Sequence, residues 1–113
     1  MTDKIVVLSA CASGEEAKRI ASELVEKRLA ACVNLVSGVQ SVYRWKDEIE
    51  ESQEVLLLIK TSRALFENVR SQIEKLHSYE TPEVIALPVV DGAEPYLEWM
   101  DRELVKEHAE ERE

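Results

Sequence analysis

Apolar residues first gather in Ile5-Val6-Val7-Leu8-Ser9-Ala10-Cys11, a short, β-branched stretch of the kind a strand shows when both its faces are covered. The period then changes. Ala17, Ile20, Ala21, Leu24, Val25 and Leu29 recur at helical spacing while Lys18, Arg19, Glu23, Glu26 and Lys27 face away, which predicts a helix over 14–30. Ser13 with Glu16 forms the capping box that would start it. From Val33 to Trp45 the odd positions are mostly apolar or aromatic, a period of two, with Gly38 marking a bulge or a close backbone approach. Lys46-Asp47-Glu48 is the expected tight turn, Asp47 being the residue best suited to left-handed dihedrals. A second strand follows from Ile49 to Thr61, acidic at Glu50, Glu51 and Glu54 and apolar from Val55 to Ile59. Thr61 or Ser62 would cap another helix, with Leu65, Phe66, Val69, Ile73 and Leu76 on one face. A strand from Glu83 to Val90 is interrupted by Pro88, which lacks a backbone donor. Asp91-Gly92 is a turn, and Pro95 fits the first turn of a last helix bearing Tyr96, Leu97, Trp99, Met100 and Leu104. From Lys106 onward the chain is mostly charged, and His108 is expected to be solvated in a fraying tail.

The order βαββαβ with one further helix is the split-βαβ, ferredoxin-like arrangement, an α+β fold with two helices on one face of an antiparallel sheet. No linker or repeat divides residues 1–113, so one domain is expected. The hairpin is too long for such a chain. Strands average about 5–6 residues, and both arms here promise more than twice that. The chain's own mass does not cover the ribbon. Its distal half, with Tyr43, Arg44 and Trp45, is expected to pack on another copy, and the protein to be an oligomer.

Composition narrows the partners. Hydrophobic residues make up 45% of the chain, enough for a core, and the formal net charge is -9. Nucleic acid and anionic membranes are therefore not expected partners, because both need a positive footprint. Met1-Thr2-Asp3-Lys4 leads into a strand without a basic and then long apolar segment, which makes the cytoplasm the expected compartment. Cys11 and Cys32 fit neither a secreted disulfide framework nor a zinc-finger spacing. Gly14, Gly38 and Gly92 are isolated and form no phosphate-binding loop.

One segment concentrates chemistry. His77-Ser78-Tyr79-Glu80-Thr81-Pro82-Glu83 places an imidazole, a phenol and two carboxylates in seven residues at a strand mouth. Structurally it reads as a helix end, a bend and a strand entry, with Pro82 holding Thr81 extended and a cationic His77 suiting the helix C-terminus. Functionally it offers a mixed nitrogen and oxygen ligand set, suited to copper(II) or zinc rather than magnesium. One histidine and one carboxylate do not close a four-ligand site, so a neighbouring subunit, water or Cys11 would have to complete it.

The blocks Arg28-Leu29-Ala30-Ala31-Cys32-Val33-Asn34, Gly38-Val39-Gln40-Ser41-Val42-Tyr43-Arg44-Trp45, Glu54-Val55-Leu56-Leu57-Leu58-Ile59-Lys60-Thr61, His77 to Val89 and Tyr96-Leu97-Glu98-Trp99 together resemble the CutA family of divalent-cation tolerance proteins. The resemblance runs from the first strand to Trp99. It implies a ferredoxin-like subunit in a homotrimer of the kind PII-like signalling proteins form, with long hairpins locking subunits edge to edge. It also implies weak binding of copper or other divalent ions, and no enzymatic activity. Three positions depart from the family pattern. Ser78 stands where proline is usual, Asp47 where glycine is usual at the hairpin tip, and Ser9 where some members carry a metal-binding cysteine. Cys11, two residues on, shares a strand face with Ser9 and is the displaced substitute.

Two functions are expected from these residues. The first is a trimeric cytoplasmic protein that binds divalent copper or zinc through His77, Glu83 and Cys11, with Tyr79 nearby. The second is a non-catalytic trimeric signalling or scaffold module whose clefts take a small molecule or a protein partner. A Cys32–His77 nucleophilic pair is not supported, because nothing in the sequence brings the two together. An acylphosphatase-like enzyme is not expected, because no arginine-bearing anion loop follows the first strand.

Overall fold

The computed structural model describes residues 1–106, so His108 and almost all of the charged tail lie outside the described residues. The elements run β1 (Lys4–Cys11), α1 (Gly14–Glu26), β2 (Cys32–Trp45), β3 (Glu48–Ser62), a 3-10 turn (Arg63–Leu65), α2 (Phe66–Leu76), β4 (Ile85–Pro88) and α3 (Glu94–Glu103). The strands form one antiparallel sheet in the order β2-β3-β1-β4, the ferredoxin-like order expected from the element sequence.

Strand alternation divides the sheet into two unlike faces. Ile5, Val7 and Cys11 of β1 stand beside Leu57 and Ile59 of β3 and meet Ala17, Ile20 and Leu24 of α1 with Val69 and Ile73 of α2 in one buried core. The opposite face carries no helix. There Val6 and Leu8 are half-buried, and their β4 partners Leu87 and Ile85 are 48% and 51% exposed.

The hairpin is as long as its sequence promised: 14 residues in β2 and 15 in β3. The turn at its tip is formed by Lys46 (φ 49°) and Asp47 (φ 67°), both left-handed as a two-residue hairpin loop requires. The bulge expected at Gly38 is present, with φ 73°, and the pairing register shifts between Val36 and Val39. Before the bulge, Val33 and Leu35 pair with Ile59 and Leu57 on the helix side. After it, Tyr43 pairs with Glu50 and Trp45 with Glu48, even positions of β3 that belong to the helix-free side.

Three boundaries differ from the sequence expectation. The first helix ends at Glu26 rather than at residue 30, because Arg28 turns left-handed (φ 61°) and the Leu29 N–H returns to the Leu24 carbonyl at 2.9 Å. This is a Schellman stop made without glycine. Neither Thr61 nor Ser62 caps the second helix: the Thr61 hydroxyl donates to the Leu29 carbonyl at 2.7 Å, Ser62 makes no capping bond, and a 3-10 turn leads into α2. The last strand shortens to four residues, its continuation held by the Val89 N–H donating to the Lys4 carbonyl at 3.0 Å. Helix α3 is tied down by Lys4, whose ammonium meets Asp101 at 2.7 Å, and by the Arg28 guanidinium at the carbonyls of Arg102 and Glu103. No helix among the described residues is long and apolar enough to cross a membrane.

Candidate functional site

Between α2 and β4 the chain crosses the C-terminal end of β1, and three consecutive residues are each tied to a different element. His77 leaves α2 with extended dihedrals. Its Nε2 lies 2.7 Å from the carbonyl of Ala10 in β1, and the Tyr79 N–H donates to its Nδ1 at 3.0 Å. An imidazole protonated at Nε2 alone satisfies both contacts. The ring is fully buried and used at both nitrogens, and its Nδ1 also lies 3.5 Å from Glu16 Oε2. Ser78 donates its N–H to Glu16 Oε2 at 2.6 Å and its hydroxyl to Glu16 Oε1 at 3.1 Å. The proline usual here in the resembling family could make neither bond. Tyr79 tilts its ring against His77, centroids 4.7 Å apart, and donates its hydroxyl to Glu54 of β3 at 2.8 Å. Burial, together with this bond to Glu54, raises the pKa of the phenol above its ordinary value.

The tethered segment forms one wall of a cleft of about 530 Å³. Ser78, Tyr79, Glu80, Thr81 and Glu83 line that wall, Ala10 lines the floor, and Tyr43, Trp45 and Glu50 of the hairpin line the other side. The lining thus holds three carboxylates and three aromatic rings, with no lysine or arginine. Such a cleft attracts cations and gives them apolar surface alongside.

The sequence-derived site residues fall in different places. Glu83 is exposed on the cleft wall. His77 stands behind the wall and orients it. Cys11 is buried in the helix-side core, opposite in strand phase to Ala10, and burial, reinforced by the Glu16 and Glu54 carboxylates, pushes its thiol up to about 11. Among the described residues, no group of three or more histidine, cysteine, aspartate or glutamate side chains is placed to hold a metal ion. Tyr43 and Trp45 are 42% and 41% exposed, and Arg44 is exposed beside them. Ser9, at the position of the family cysteine, is fully buried, and its hydroxyl has no hydrogen-bond partner among the described residues. Sequence reasoning missed the parts played by Glu16 and Glu54. Glu16 had a local explanation in the capping box, and Glu54 stood in an acidic run with nothing to mark its partner.

Residues 5–103 match the family described as CutA1 divalent ion tolerance protein. The chain is 48% identical over 95 residues to the divalent-cation tolerance protein CutA of Thermus thermophilus, covering 84% of this chain and 92% of that one. It is 43% identical over 96 residues to a chloroplastic protein CutA of Arabidopsis thaliana, covering 85% of this chain and 53% of that longer relative. A solved structure of the divalent cation tolerance protein Cut A1 from Thermus thermophilus superposes with a TM-score of 0.88 at 45% identity, covering 90% of this chain and 99% of that one.

Proposed function

The chain belongs to the CutA1 divalent ion tolerance family, and on that premise we propose that it is a homotrimer whose clefts take up divalent copper or zinc weakly. The observation that carries this reading is the cleft itself: Glu50, Glu80 and Glu83 line about 530 Å³ with no lysine or arginine in the lining, the nearby Lys46 ammonium lying 5.7 Å over the Trp45 ring. One copy supplies no closed ligand set. The ion is held by Glu83, and water or a second copy completes the coordination. His77 joins the set only by giving up the Tyr79 N–H, and Cys11 only by losing a proton that its surroundings retain. Weak binding follows. Assembly is supported by the helix-free face and by the ribbon, both of which leave apolar side chains in water. The reading takes the protein as cytoplasmic, and cell fractionation checks that compartment.

The test is calorimetric titration of the metal-free protein with copper(II) and zinc(II), beside Glu83→Gln and His77→Ala, with mass measured by light scattering. A saturable site on a trimer, weakened roughly tenfold or more by Glu83→Gln, is the expected result. Equal, unsaturable binding by all three proteins would sink the metal reading. A non-catalytic module for a small organic molecule then stands in its place, which Tyr43 and Trp45 in the cleft favour.

A further inference from the structure

The capping box at the start of α1 is only half made. The Glu16 N–H donates to the Ser13 hydroxyl at 3.2 Å, but the Glu16 carboxylate does not return to Ser13. It crosses to Ser78, 62 residues along the chain, and holds that residue with both oxygens. The Glu16 side chain is only 8% exposed, whereas Ser78 lies at the surface, so the two bonds are part-buried. The charge of Glu16 in the first turn also suits the positive end of the helix dipole. The loop gains an anchor to α1.

From this we infer that Glu16 is a positioning residue of the cleft: by clamping Ser78 it fixes the loop that presents Glu80 and Glu83. The inference rests on the cation-binding reading of the cleft. His77 and Tyr79 tie the loop to β1 and β3, and the clamp between them determines how the chain leaves toward Glu80. Glu16 does not line the cleft, so it acts through geometry and not by touching the ion.

Amide hydrogen exchange and copper(II) titration on the full chain test this, with Glu16→Ala, Glu16→Gln and Ser78→Ala. Glu16→Ala is expected to speed exchange of the 78–81 amides roughly tenfold, the scale of a lost hydrogen bond to a carboxylate, while β1 and β3 stay protected. Copper(II) affinity should fall with it. Glu16→Gln keeps an acceptor for the Ser78 N–H and should restore most of both. Ser78→Ala should show a smaller loss of the same kind, and it decides the matter if Glu16→Ala does not fold. Unchanged loop exchange in Glu16→Ala would overturn the inference, as would Glu16→Gln binding copper(II) as poorly as Glu16→Ala, since charge would then be acting directly. If the wild type binds no copper(II), the functional reading fails, while the exchange arm still decides the role of Glu16.

Discussion

Lys4 shows how a charged residue comes to be buried. Its side chain is 4% exposed, and its ammonium lies between Asp3 at 2.5 Å and Asp101 at 2.7 Å. Burial works to lower its pKa, but the hydrogen bonds to Asp101 and Asp3 outweigh it, and the group ends above its usual 10.5. A folded-state pKa above the unfolded one adds stability that is complete below the unfolded value and is lost as pH climbs past it. Stability measured by urea unfolding is therefore expected to decline above about pH 10.5, and Lys4→Met should remove that part of the alkaline decline. The two carboxylates are exposed and stay in water when Lys4 is replaced. Arg28 makes a complementary point. Its left-handed backbone costs about 1–2 kcal/mol, and the contacts of its guanidinium and carbonyl with the end of α3 offset that cost. A sequence scan looks for glycine at such a stop, which is why the first helix read four residues too long.

At the scale of elements, the hairpin was the most legible part of the chain and also the most misleading. Its arms, its turn and its bulge could all be read from period two, Asp47 and Gly38. What could not be read is that the odd positions change sides at Gly38, because the pattern stays apolar through the bulge while the backbone inverts. The candidate site was half legible for a related reason. His77 and Glu83 lie in one segment and could be paired from sequence, whereas Glu16 and Glu54 reach that segment only through folding. Gly38 itself has open space where a Cβ would sit, so Gly38→Ala meets no clash and pays only for its positive φ. Thermal unfolding should register about 1 kcal/mol, with the four-stranded sheet retained by circular dichroism.

For the whole molecule, the unequal faces of the sheet matter most. One face is closed by α1 and α2, and the other leaves Ile85 and Leu87 roughly half exposed beside Val6 and Leu8. Light scattering is expected to give three times the chain mass of 12.9 kDa. Leu87→Glu should shift that mass toward the single chain without disturbing the helix-side core, because Leu87 points away from it. A Leu87→Glu protein that keeps the wild-type mass would show that copies meet elsewhere, along the ribbon alone. The bulge works differently. Because the tip turn fixes Tyr43 opposite Glu50 and Trp45 opposite Glu48, the segment between Val36 and Val39 behaves like a slack link that absorbs one extra residue. Loss of the supernumerary residue would close the ladder with Val36 still opposite Leu56 and Val39 still opposite Glu54, so Tyr43 and Trp45 would keep their places at the cleft wall. What the cleft can recognise is thus anchored at the far tip of the ribbon, and chain length near Gly38 is free to vary without rewriting it.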